Sequence, residues 1–291
     1  MESKSIFASA TITNKSENQD SKGEIISNFL NAVLVADGLG SYKYAKQASN
    51  LVIESLSKQL ENIENSSYLD FAKCFKTAKE KLVKLEKEGE KDSENLYGTT
   101  VIVLVETEKT IKIGYVGNGA IWHIRGNFDE FPPAYHFPWN AVNLLNPHSI
   151  SENGKEALYR LISDNPNDWD ECVPAEIEIN KDSLQGDILM ICTDGIYSED
   201  QRNFGTNNQG IWVKYENAMQ KFFVHLKQFF EQNSEHTKED LETALNLYLE
   251  DVKPDLDDDA TIGVLITEKT IDYQKNKRQQ SIDENNTDNQ R

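Results

Sequence analysis

Short apolar blocks alternate with amphipathic stretches along the 291-residue chain. Residues 32–36, 101–105, 111–116, 120–124, 188–192 and 262–266 have the length and content of strands. Several are nearly continuous apolar, which predicts burial on both faces. Residues 175–179 alternate strictly with Glu and predict a strand with one wet face. Elsewhere the apolar spacing is helical. Ala45, Ala48, Leu51, Val52, Leu56 and Leu60 share one face, and Leu69, Ala72, Phe75, Ala78, Leu82 and Leu85 another. A third stripe runs through Trp212, Tyr215, Met219, Phe222, Leu226 and Phe229, and a short fourth through Leu241, Ala244, Leu245 and Tyr248. All four stripes are read as faces turned to a core.

The order is two strands, two helices, a run of strands, two helices and a final strand. Clustered helices and clustered strands predict an α+β fold, with helices outside antiparallel sheets, over a repeating βαβ design. Residues 127–167 hold five of the seven prolines and read as an irregular insertion, with a short helix around 156–162. The expected organisation is one domain over 1–270 and a polar, unstructured tail over 271–291.

Charge narrows the function classes. Asp and Glu number 49 against 30 Lys and Arg, a formal charge of −19, which disfavours nucleic acid and anionic membranes as partners. No apolar run approaches membrane-spanning length, and residues 1–5 carry no signal-peptide core. Cys74, Cys172 and Cys192 are far apart and form no Cys-x-x-Cys pair, so a reducing cytoplasm is the expected home. The five histidines lack metal-binding spacing, so a metal here must be held by oxygen.

Candidate chemistry lies where strands stop. Val33-Leu34-Val35-Ala36 runs into Asp37-Gly38-Leu39-Gly40, and Ile191-Cys192-Thr193 runs into Asp194-Gly195. Asp257-Asp258-Asp259 stands just before the last strand. A carboxylate at a buried strand end is costly to ionise unless a cation or donors offset it. The glycines allow sharp turns and leave a backbone carbonyl open to a metal. Three such Asp from distant positions would suit a hard divalent cation. Each motif alone reads equally as a turn or a solvated loop. The Asp-rich stretch fails as a calcium loop at Ala260 and Ile266, and Gly38-x-Gly40 fails as a dinucleotide fingerprint at Lys43.

Taken in order, the boxes are Asn18-Gln19-Asp20, Val35-Ala36-Asp37-Gly38-Leu39-Gly40, Gly98-Thr99-Thr100, Val116-Gly117-Asn118-Gly119, Thr193-Asp194-Gly195-Ile196 and Asp258-Asp259-Ala260-Thr261. This series resembles the metal-dependent serine/threonine protein phosphatases of type 2C, the PPM family, particularly bacterial members. The resemblance implies an α-β-β-α sandwich of two antiparallel sheets and a two-ion centre of Mn²⁺ or Mg²⁺. By motif match, Asp37 would bridge both ions, the Gly38 carbonyl would ligate one, and Asp194 and Asp258 would complete the other's shell. Asp20 would organise the bound waters from behind. The implied reaction is hydrolysis of phosphoserine or phosphothreonine on a protein by a metal-bridged hydroxide, with a cognate kinase as counterpart.

Several positions depart from the family pattern. Lys15 stands where the phosphate-holding Arg is expected and supplies charge without a bidentate fork. Gln19 replaces a frequent Glu, Asn118-Gly119-Ala120 replaces Asp-Ser-Arg, and Ser198 replaces an Asp, with Glu199 or Asp200 as partial substitutes. The losses at the Asn118 box and at Ser198 argue against a third ion. Leu39 stands where eukaryotic members have a His. Asn118 on its own reads as a turn residue satisfied by backbone donors, and His123 and His136 as packing or surface residues. Two other functions stay open: a catalytically weak phosphoprotein-binding module of the same fold, and a phosphatase of a small phosphorylated metabolite.

Overall fold

The computed structural model describes residues 4–85, 96–130, 141–152, 155–197, 204–206, 209–210, 212–214, 218–232 and 235–288. Three strands come first: β1 (Ile6–Ile12), β2 (Ser21–Ile26) and β3 (Asn31–Ala36). Helices α1 (Ala45–Glu61) and α2 (Phe71–Val83) follow, then β4 (Gly98–Thr99), β5 (Val101–Glu106), β6 (Thr110–Val116) and β7 (Ala120–Arg125). Five short strands come next: β8 (Ala141–Asn143), β9 (Ser149–Glu152), β10 (Lys155–Leu158), β11 (Ile162–Ser163) and β12 (Ala175–Asn180). The chain continues through β13 (Asp187–Cys192), β14 (Phe204–Thr206), β15 (Trp212–Lys214), α3 (Ala218–Gln232) and α4 (Lys238–Val252). It closes with β16 (Ala260–Ile266) and α5 (Glu268–Asp288).

Two five-stranded antiparallel sheets result, ordered β1-β16-β13-β7-β8 and β12-β6-β5-β3-β2. Side-chain alternation explains why the central strands are apolar on both faces. In β13, Leu189 and Ile191 face the other sheet, where they meet Val33, Val35, Ile102 and Leu104. Ile188, Met190 and Cys192 point the other way, into the layer of α3 and α4 with Phe222, Leu226, Leu245 and Tyr248. In the second sheet Leu34 and Val103 face α1 and α2, where Val52, Leu56, Phe75 and Leu82 cover them. The result is the expected helix-sheet-sheet-helix stack. Strand β12 lies at a sheet edge and alternates between half-buried and exposed positions, as its Glu residues require.

The structure differs from the sequence reading in four places. Three strands precede the helices where two were expected, and of these only β3 had residue bounds, because Ala8, Ser9, Ala10, Lys22 and Gly23 dilute the apolar signal of β1 and β2. Residues 156–162 form no helix; β9 and β10 pair as a hairpin, with Leu158 opposite Ser149. The Asn153-Gly154 pair between them in sequence is the hairpin signal that outweighs the helical spacing. The third helix starts at Ala218, and Trp212, assigned to its stripe, instead pairs with Thr206 in a two-stranded ribbon. The polar tail is helical through Asp288. Its polar residues dock it: Gln274 Nε2 donates to the Gly126 carbonyl (2.6 Å) and Lys277 reaches Asp129 (2.7 Å), beside buried Ile271. No helix among the described residues is long and apolar enough to cross a membrane.

Candidate metal centre

Three strand ends meet at one end of the sandwich. Strand β3 hands on to Asp37, whose carbonyl accepts from Thr100 N (2.9 Å) and Thr99 Oγ1 (2.7 Å). Leu39 N donates to the Gly98 carbonyl (3.0 Å), so the turn is stitched to β4. A Cβ on Gly38 would lie 2.3 Å from the Ala45 carbonyl oxygen, so glycine is what lets α1 begin this close. Strands β13 and β16 stay joined past their last ladder pair, through Thr193 N to the Thr261 carbonyl and Thr261 N to Thr193 Oγ1, both 3.0 Å. A Cβ on Gly195 would lie 1.9 Å from the Asp259 carbonyl oxygen. The Asp194 turn therefore rests directly on the backbone of the 258–259 turn, and contact is what demands the glycine.

Asp37, Gly38, Asp194 and Asp258 line one cavity of about 410 Å³, together with Gln19, Leu39, Tyr42, Asn118 and Leu158. Asp20 stands behind this surface, 1% exposed. Its Oδ2 accepts from Thr193 Oγ1 (2.8 Å), and its Oδ1 is buried without a hydrogen-bond partner. The Lys46 ammonium goes to the Asp20 backbone carbonyl (2.6 Å). Lys15 is not among the cavity-lining residues; its ammonium forms an ion pair with Asp258, both side chains being substantially exposed at 39% and 55%.

Two residues acquire roles the sequence did not give them. Asn118 Nδ2 donates to Asp194 Oδ2 (2.9 Å), so it holds a carboxylate where it was read as a turn residue satisfied by backbone. Asp259 is 2% exposed and accepts from Thr13 Oγ1 and from Gln19 N (2.7 Å), tying the loop that carries Lys15 and Gln19 to the β16 entrance. Its place beside Asp258 in an Asp run gave no hint of which carboxylate would be buried. His123 packs against Asp187, far along β13 from Asp194. Ser198, Glu199, Asp200 and His136 lie outside the described residues.

Electrostatically the group is frustrated. Burial raises the Asp37 carboxyl well above the ordinary range, and the charges of Asp20, Asp194 and Asp258 raise it further. Burial also pushes Asp20 up to about 6, against the pull of hydrogen bonds from Thr261 and Thr193. Burial alone would lower Lys15, but its contact with Asp258, aided by Asp259 and Asp37, raises it.

This donor set fits hard divalent cations. The groups facing the cavity floor are oxygens, their mutual repulsion calls for positive charge, and a buried Asp20 oxygen lacks any donor. Among the described residues no three His, Cys, Asp or Glu side chains stand close enough together to hold one ion.

The sequence matches the family described as Protein phosphatase 2C over residues 9–249. No curated protein matches it. Among solved structures, the Mycobacterium tuberculosis serine/threonine phosphatase PstP/Ppp is similar at TM-score 0.56 and 16% identity, covering 91% of this chain and 99% of that one. The S. agalactiae serine/threonine phosphatase is similar at TM-score 0.60 and 15% identity, covering 90% and 99%. RsbX in complex with magnesium is similar at TM-score 0.51 and 16% identity, covering 91% and 96%. At these identities the likeness is one of fold.

Proposed function

The chain belongs to the protein phosphatase 2C family, and from that premise we propose that it hydrolyses phosphoserine and phosphothreonine on proteins in a divalent-metal-dependent reaction. The observation that carries this reading is the meeting of Asp37, Asp194 and Asp258 in one cavity from three distant strand ends. Two divalent ions, Mn²⁺ or Mg²⁺, would supply positive charge against the phosphoryl oxygens and lower the pKa of water into the neutral range.

The protein's own part is to hold oxygen donors still. Asp37 would be a metal ligand, its backbone pinned by Thr99 and Thr100. The Gly38 carbonyl would be a further ligand, its place set by the pairing of Gly38 opposite Thr99. Asp194 is aimed by Asn118, and Asp258 by the Asp259 N–H at 2.6 Å. Asp20 receives the Thr193 hydroxyl on one oxygen, while its other oxygen is buried without a hydrogen-bond partner. Lys15, released from Asp258 when a phosphate dianion arrives, would supply one point charge to it. The partners are a phosphorylated protein and the kinase that phosphorylates it.

One observation favours a second reading, a catalytically weak phosphoprotein-binding module. The Lys15 ion pair already neutralises Asp258 internally. Hydrolysis of a phosphothreonine peptide with Mn²⁺, with Mg²⁺ and with chelator separates the two. Metal-dependent turnover that collapses in Asp37→Asn and in Asp194→Asn is expected. A folded wild type that binds the peptide and turns over no phosphosubstrate with any metal would favour the module.

A further inference from the structure

The carboxylates occupy only part of the cavity. Beside them the lining carries a group of apolar side chains: Leu39 and the ring of Tyr42 from the turn after Asp37, Ala157 and Leu158 from β10, and Leu161 just before β11. Gln19, Ser41 and Asn118 are its uncharged polar side chains, and no Lys, Arg or His lines it among the described residues. A phosphoryl group directed to the acidic floor would bring the atoms next to it against this apolar wall.

The wall is firmly built. Leu161 N donates to the Glu171 carbonyl (2.9 Å), and Ile162 and Ser163 pair with Thr99 and Gly98, the strand that also holds Asp37. Asp164 accepts from Leu96 N and Tyr97 N, both 3.3 Å. Beneath them Lys79 of α2, 0% exposed, forms an ion pair with Glu171 and donates to the Ser163 carbonyl (3.1 Å). A buried ion pair is seldom more stabilising than apolar residues of the same volume, so its use here is to fix geometry. It clamps β11 and the adjoining Leu161 to the helix layer.

We propose that Leu39, Tyr42, Leu158 and Leu161 form a subsite for an apolar side chain flanking the phosphoresidue. The substrate class is then an apolar-flanked phosphopolypeptide. The inference rests on the phosphatase reading of the same cavity.

The test uses the full chain with Mn²⁺ and two phosphothreonine peptides that differ only in carrying Leu or Ser on both sides of the phosphoresidue. Burying a leucine-sized side chain predicts a preference of about tenfold in kcat/KM for the Leu peptide, expressed in KM. Leu158→Ser is expected to bring the two peptides within about twofold, and so is Lys79→Met combined with Glu171→Gln. Being a ratio, the readout tolerates partial loss of folded protein. Equal kcat/KM in the wild type, or a preference that survives Leu158→Ser, overturns the subsite. If neither peptide turns over, the phosphatase reading has failed, and their affinities by fluorescence anisotropy decide the subsite: about tenfold tighter for Leu supports it, and equal affinities reject it.

Discussion

The two ends of β13 treat a carboxylate in opposite ways. At its start, Asp187 is fully buried and accepts from Arg125, from His123 Nε2 (2.8 Å) and from Asp182 N (2.6 Å). Thr267, at the far end of β16, donates its N–H to the Asp187 carbonyl and accepts from its N–H. At the other end, Asp194, Asp258 and the buried Asp20 all repel the charge on Asp37, and among the described residues Lys15 pairs with Asp258 at the exposed side. One end is complete within the protein. The other stores repulsion that a cation would relieve, and that asymmetry separates a structural knot from a functional site.

The largest expected effect falls on the end where the carboxylates repel one another. Asp37→Asn should lower metal-dependent turnover by about a thousandfold, as loss of several kcal/mol of charge stabilisation implies. It should also leave the metal-free protein as stable as wild type or more so, because it removes a repelled charge; urea unfolding in chelator checks this. Asp187→Ala should do the reverse. Breaking the buried pair is expected to cost about 3 kcal/mol in urea unfolding while turnover per folded molecule holds.

A pH test sharpens the contrast. Asp20 is raised in the folded protein from 3.8 to about 6, so the folded state binds more protons than the unfolded one across that window. Its contribution to stability is therefore complete below about pH 4 and falls as pH rises to about 6, by an amount on the order of 3 kcal/mol. Melting of the chelated wild type relative to Asp20→Asn should show this decline, and Mn²⁺ should stabilise more at pH 7 than at pH 5. The smallest effect belongs to Lys15→Met. Its exposed ion pair predicts a stability change within about 0.5 kcal/mol and a KM about fivefold higher.

Most of the sandwich was legible because its central strands are covered on both faces. Val33, Val103 and Ile191 needed no partner information to be read as buried. What escaped was held by polar contacts. Ser9 in β1 is fixed by Glu24, and Glu24 in turn by Lys238, a pairing that no period reveals. The docked helix α5 depends likewise on Gln274 and Lys277. At the site, Asp37 and Asp194 were readable because each ends an apolar run and precedes a glycine. Asn118, Asp259 and Lys79 were not, since each acts on a residue far away in sequence. Lys79 did leave one trace, a lysine beside Ala78 and Leu82 on the buried side of α2.

The central claim is that the mutually repelling carboxylates form a site for two divalent ions. Calorimetric titration of the metal-free protein with Mn²⁺ at pH 7 tests it most directly, with Asp37→Asn as the comparison. Binding of two ions in the wild type, lost or reduced to one weak ion in the variant, is the predicted result. Heats in the wild type no greater than those of Asp37→Asn would contradict the account and leave the acidic end of β13 without an explanation.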